Sequence, residues 1–269
     1  MPWTLSHPAA VLPLRRLTPQ PLDFAALVFG SMTPDIGYYI DRFDLANLAH
    51  TLPGSFIACL PTGVIMLLVF YLFARPVCYA LPAPHRQCLL PLCPTFPTSV
   101  NRWAIILFSL LLGAWTHNFW DAFTHEHGWF VERSPWLQQP VLQITSTTVY
   151  MFLVLQEVST VVGFVIVALV YWRWLRRQSP VTSSESDRWR YLFWGAIVGL
   201  TVAISFPLAV HDASAAALHG FLFCRSVVFR VAIYSPAVAV PLGLIGASVI
   251  YARRSRQPQA DCKAKRPLR

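Results

Sequence analysis

The residues best suited to do chemistry lie in one run, Thr116-His117-Asn118-Phe119-Trp120-Asp121-Ala122-Phe123-Thr124-His125-Glu126-His127-Gly128-Trp129. His117 and Asp121 stand four apart, so on a helix they differ by about 40° in direction and about 6 Å in height and share one face. If the helix persists another turn, His125 joins them and Gly128 stops it. An imidazole and a carboxylate on one face are a usual ligand pair for zinc or a similar divalent ion; the other reading is a hydrogen bond at the helix end. Metal ligands come in sets of three or four, and further members stand at Ser6-His7-Pro8, at Gly30-Ser31-Met32-Thr33-Pro34-Asp35 and at His50-Thr51-Leu52-Pro53-Gly54. Each is a His or Asp beside turn-forming residues where an apolar stretch ends. Glu126 is the nearest carboxylate without a ligand role, and so the candidate general base.

The elements that must position these residues are apolar. Only 12% of the 269 residues are charged and 55% are apolar, too few charges for the surface of a soluble domain of this length. Five stretches are long enough for the roughly 20 helical residues that a bilayer requires: Ser55 to Phe73, Trp103 to Trp120, Val149 to Trp174, Tyr191 to Val210 and Val227 to Tyr251. In lipid each segment must satisfy its own backbone groups, so runs of this kind are helices, and alternating strand patterns are absent. The expected fold class is all-α, a multi-pass membrane helical bundle with about five transmembrane helices plus short N-terminal interfacial helices. Residues 1–251 form one membrane domain, with 1–54 as an N-terminal segment carrying much of the site and 55–251 as the bundle; 252–269 read as a basic disordered tail. Two short apolar runs, Ala9 to Leu14 and Phe24 to Gly30, are too short to span and should lie at the interface or tuck back into the bundle. The first residues do not read as a signal peptide, because Pro2, Pro8 and Pro13 interrupt them and Arg15-Arg16 follows the apolar residues.

Charge orients the bundle. Of the 21 basic residues, 15 fall on alternate connections and in the tail, which makes that side cytoplasmic by the positive-inside rule. The opposite, outer side then holds nine of the twelve acidic residues and seven of the eight histidines; only His85 lies on the basic side. The expected location is the cell inner membrane, with the tail cytoplasmic and the His/Asp cluster at the outer face. Membrane lipid is the expected partner; no binding motif accompanies the basic runs, so nucleic acid is not. The six cysteines show no CxxC pair, so neither a thiolate zinc site nor a structural disulfide is expected. The stretch Pro82 to Thr98 reads as a loop. Glu157 is either a functional carboxylate or one bonded to Gln156 or Thr160, and Arg133, Arg225 and Arg230 either bind phosphate oxygens or reach for headgroups.

The motifs SHPAA at Ser6 to Ala10, GSMTPD at Gly30 to Asp35, HTLPG at His50 to Gly54 and THNFWDAFTHEHGWF at Thr116 to Phe130 resemble the bacterial family known as domain of unknown function 4184. The likeness is dense up to Phe130 and rests on hydropathy beyond it. The order of His, PD, His and HxxxD is also similar to that of inner-membrane metal-dependent hydrolases. More distantly it resembles that of the zinc-dependent phospholipase C enzymes, which are soluble and all-helical. That resemblance implies one metal held by Asp35, His50, His117 and Asp121, and a second by His7 with Asp121. The phospholipases build a further site from a His and a HxxxE pair, whereas Glu157 here has Leu153 four residues before it. His125 or His127, with His211 or Asp212, are the remaining candidates, so one or two zinc-like ions are expected.

Two function classes follow. One is a membrane-embedded metal-dependent hydrolase acting on a lipid-linked phosphoester. The other is a scaffold or transport component in which the His/Asp cluster, with or without a metal, braces the bundle.

Overall fold

The structure, a computed structural model, describes residues 3–144, 147–178 and 186–255. The tail expected to be disordered lies outside the described residues from 256 onward. Seven helices matter here: α1 (Phe24–Gly30), α2 (Phe43–Ala49), α3 (Leu52–Ala80), α4 (Val100–Asp121), α5 (Met151–Arg176), α6 (Arg188–Ala215) and α7 (Gly220–Ser255). The last five are long and apolar enough to cross a membrane, and their most apolar windows are only 11% to 33% buried. Side chains such as Ile65, Leu72, Val161, Val202 and Ile245 therefore face outward, an arrangement suited to lipid and not to water. Three of these helices run past their expected ends, α3 through Pro76; α6 and α7 carry prolines within their expected spans, Pro207 in α6 and Pro236 and Pro241 in α7. Such prolines are tolerated where neighbouring helices and local adjustments re-satisfy the freed backbone groups.

The N-terminal helices tuck into the bundle. Helix α1 lies along α4 and against α3, around a core of Ala26, Leu67, Ile106 and Leu110. Two glycines permit the approach: a Cβ at Gly30 would stand 2.2 Å from the Leu110 carbonyl oxygen, and one at Gly113 would stand 2.4 Å from that of Leu27. Small residues that let helix backbones meet are the usual device of membrane packing. Asp23 caps α1 by accepting the Ala26 amide at 2.8 Å and also pairs with Arg102 of α4. The residues before α1 are tied to α5, where the Trp3 amide donates to Thr160 Oγ1 at 3.1 Å and Ser6 Oγ to the Thr160 carbonyl at 2.7 Å.

Two expectations need correction. A hairpin of two antiparallel strands, Pro140–Ile144 and Thr147–Tyr150, precedes α5. It was invisible as an alternating pattern because its residues are exposed or half-buried on both faces. The stretch read as a loop contains the short helices His85–Leu89 and Leu90–Leu92. Beside it Arg190 is fully buried, pairs with Asp187 at 2.8 Å, and shares that carboxylate with the Ala83 amide.

Candidate metal centre

The centre forms where the end of α4 meets the start of α3 and the turns on either side of α2. Helix α4 presents His117 and Asp121 one turn apart, both buried. Asp35 ends the turn Thr33–Asp35 and is fully buried; His50 directly follows α2, with one-fifth of its side chain exposed. The position of His50 is fixed through its neighbour: the Ala49 carbonyl accepts from Asn118 Nδ2 at 3.2 Å and from Cys59 Sγ at 3.3 Å. Cys59 closes a π-turn, Ser55–Cys59, near the start of α3, a feature frequent at functional sites.

Each imidazole is aimed by its other nitrogen. His117 Nδ1 lies 2.8 Å from the Ser31 carbonyl and His50 Nδ1 lies 2.7 Å from the Ala46 carbonyl. A carbonyl can only accept, so both Nδ1 atoms carry a proton, and Nε2 is the nitrogen that each ring turns inward. Those two Nε2 atoms are 3.3 Å apart. Asp121 Oδ2 stands 3.1 Å from that of His117 and 3.2 Å from that of His50. Asp35 Oδ1 stands 3.5 Å and 3.7 Å from the same two atoms. The four ligand atoms of Asp35, His50, His117 and Asp121 all lie within 4.8 Å of one another, and together they could hold a metal ion.

The surroundings complete this arrangement. Thr4 Oγ1 donates to Asp35 Oδ2 at 2.6 Å and accepts from the Tyr39 hydroxyl at 2.7 Å, which leaves Asp35 Oδ1 directed at the imidazoles. His7 stacks on His117 with ring centroids 3.6 Å apart, and its Nε2 lies 3.7 Å from Asp121 Oδ1. Both nitrogens of His7, with Asp35 Oδ1 and Asp121 Oδ1, are buried without a hydrogen-bond partner. Buried polar atoms left in this state are costly, and a cation among them would satisfy several at once. Burial pushes the Asp35 carboxyl up and holds His7 well below the ordinary imidazole value. Burial also raises the Tyr39 hydroxyl to about 12, so it remains a donor.

The end of the motif differs from a continued helix. Helix α4 stops at Asp121, and the Ala122 carbonyl accepts from the amides of Phe130 and Val131 instead of from a further turn of α4. The turn still returns His125 to the cluster: its Nδ1 lies 3.2 Å from the Asp121 carbonyl and 3.6 Å from Asp121 Oδ2, and its Nε2 is buried without a partner. Burial lowers His125 to about 4. Glu126 and His127 occupy the exposed side of this turn and, among the described residues, bond to none of the cluster. His211 and Asp212 are not part of it either. Asp212 accepts from Tyr234 at 2.5 Å and from Arg230 at 3.1 Å, across the packed pair α6 and α7.

Ser31, Ala46 and Thr4 were missed by the reading of motifs. The first two act through backbone carbonyls, which carry no residue signature. Thr4 differs in that its hydroxyl, two residues before Ser6-His7-Pro8, is a side-chain signal that could have been followed.

No curated protein and no solved structure is matched by this chain. The model of the domain of unknown function DUF4184 matches residues 1–252, well past the dense motifs that end at Phe130, and the chain belongs to that family.

Proposed function

We propose that the protein is a membrane-embedded metal-dependent hydrolase whose site opens at the outer face of the bacterial inner membrane and whose substrate is a lipid-borne phosphoester. The observation that carries this reading is the convergence of two imidazole Nε2 atoms and two carboxylate oxygens on one point, each imidazole aimed by a backbone carbonyl. Such a donor set suits zinc or a similar divalent ion. The outer placement follows from the arginine-rich connections at the opposite end.

Asp35, His50, His117 and Asp121 would hold one ion, and His7 with Asp121 is placed for a second. The chemistry such an ion supplies is polarisation of a phosphoryl oxygen and acidification of a water to a pKa of about 7. The protein's own part is to hold the proton on Nδ1 of both imidazoles through Ser31 and Ala46, so that Nε2 is the nitrogen offered to an ion, and to direct Asp35 through Thr4. The part-exposed His125, whose Nδ1 lies 3.6 Å from Asp121 Oδ2 and whose Nε2 has no hydrogen-bond partner, is the side chain that would take a proton there. Glu126, outside the cluster, is not assigned that role.

A second reading has its own support. Asp35 and His117 are fully buried and Asp121 nearly so, and closed four-ligand sites brace structures where open ones catalyse. Elemental analysis separates a metal from a bare hydrogen-bond network: the parent should carry one or two ions per chain, fewer in His117→Ala and Asp35→Ala, and no fewer in His85→Ala. A panel of phosphoesters then separates catalysis from bracing. Chelator-sensitive hydrolysis that disappears in a folded Asp121→Ala variant supports the enzyme. Metal-bound, folded parent protein that hydrolyses none of the panel supports the brace, and the hydrolase reading would be abandoned.

A further inference from the structure

A cavity of about 1020 Å³ separates α5 from α7. Helix α7 packs against α6 and α3, while α5 packs against the N-terminal segment, so the two helices that flank the cavity are held apart by different partners. Most of the wall is aliphatic and aromatic, including Val154 of α5 and Phe229 and Ala232 of α7. Two charged side chains interrupt it, Glu157 on α5 and Arg225 on α7. Among the described residues neither side chain has an ion pair or a hydrogen bond. A charged group at the edge of an apolar zone is costly and normally faces a partner or a functional cavity.

The levels of these groups agree. Glu157 lies six residues beyond the start of α5 and Arg225 five beyond the start of α7, so they sit about 9 Å and about 7.5 Å into their helices at 1.5 Å per residue. Both helices begin at the end of the bundle that carries the His/Asp centre. Val154 lies nearer that end, and Phe229 and Ala232 lie deeper. The profile is a pair of opposite charges at headgroup depth with apolar walls above and below. The cavity also reaches the residues behind the centre, because it is lined by Thr4, which donates to Asp35, and by Tyr39, which donates to Thr4.

We propose that this cavity binds one zwitterionic phospholipid, with its phosphate on Arg225, its ammonium group on Glu157 and its acyl chains along Phe229 and Ala232. A guanidinium and a carboxylate left unpaired match the two charges of that headgroup, and a neutral pair matches its zero net charge. Binding stands on the cavity alone. That the bound lipid is the substrate class rests on the hydrolase reading.

The test uses the full chain in nanodiscs of phosphatidylethanolamine and phosphatidylglycerol at equal amounts, followed by native mass spectrometry of the lipid retained after release. The parent should retain phosphatidylethanolamine in preference. Glu157→Gln, which removes the ammonium contact, should reduce that preference about tenfold, and Arg225→Gln, which removes the phosphate contact both lipids share, should reduce retention of either lipid about tenfold, each the loss of one charge-assisted contact. Ala232→Trp, which fills the lower cavity, should reduce retention of either lipid. Metal content, measured in parallel, should equal the parent's in all three and reports that the centre is intact. An unchanged preference in Glu157→Gln or unchanged retention in Arg225→Gln overturns the proposal, as does a parent that retains no lipid and forms a dimer which Ala232→Trp disrupts. If the lipid is retained as expected but no phosphoester is hydrolysed, the binding site stands and the hydrolase reading fails. If hydrolysis occurs without retention, the reverse holds.

Discussion

The substitution that most directly probes how the fold builds the centre is Gly113→Ala, which touches none of the ligands. A methyl group there would stand 2.4 Å from the Leu27 carbonyl oxygen and 2.8 Å from the Ser31 amide nitrogen. Comfortable non-bonded contact begins near 3.5 Å, so α1 would have to retreat by about 1 Å. Ser31 ends that helix, and its carbonyl accepts from His117 Nδ1 at 2.8 Å. A retreat of that size stretches the bond to roughly 3.8 Å, past any useful hydrogen bond. Overpacking should cost about 1–3 kcal/mol of stability. Loss of the orienting carbonyl should weaken metal binding about 10–100-fold, or about 1.4–2.7 kcal/mol. Titration of zinc against a competing chelator, with thermal unfolding beside it, reads both quantities. Gly195→Ala is the control, since a Cβ at Gly195 meets nothing within 4 Å, and it should move neither. A Gly113→Ala protein that holds zinc as tightly as the parent would refute the idea that α1 aims His117.

Two other outcomes are expected. Arg190→Met removes a fully buried cation from Asp187 and should destabilise the protein by about 3–5 kcal/mol, the usual effect of leaving a buried charge unpaired; a melting temperature within a degree of the parent's would show that the pair is dispensable. In intact cells an impermeant maleimide should miss Cys78 and Cys93, which flank arginine-rich connections, and should label Cys224, exposed at the opposite end. The reverse pattern would move the His/Asp cluster to the cytoplasmic side. Cys88 is a poor probe because it is buried, and Cys262 lies outside the described residues.

Much of the centre was legible because its ligands come in short motifs. His117 and Asp121 needed only the helical period, and Asp35 and His50 needed the recurrence of turn residues beside a His or Asp. The groups that aim these ligands were harder to see for physical reasons. A carbonyl such as that of Ser31 or Ala46 acts through backbone common to all residues, and that of Ser31 is placed by Gly30 and Gly113 meeting neighbouring backbones across two helices. The five long helices could be read from apolar length, with Pro207, Pro236 and Pro241 already inside them, but the end of α3 could not, because Pro76 breaks helices in water and is accommodated here. The hairpin escaped because neither of its faces is buried. Spacing also misled at Glu126: a residue adjacent to a good ligand is carried by whatever turn follows, and the turn after Asp121 returns His125 and sends Glu126 outward.

That turn yields the sharpest distinction between catalysis and bracing. His50 and His125 are the least buried imidazoles of the cluster, their rings 6.1 Å apart along one edge, so water and a substrate oxygen would enter there. His125 contributes no atom to the four-ligand set, and therefore His125→Gln should leave metal content and melting temperature near the parent's under either reading. Under the catalytic reading it removes the proton acceptor, and kcat should fall about 10²–10⁴-fold, the usual contribution of a positioned general base, with KM little changed. The pH dependence of kcat should flatten on its acid limb as well, since the group that must be deprotonated is gone. A structural site predicts no such signature, because a side chain outside the ligand set has no reaction to serve. Loss of metal from His125→Gln would instead make His125 a ligand and require a different residue to move the proton.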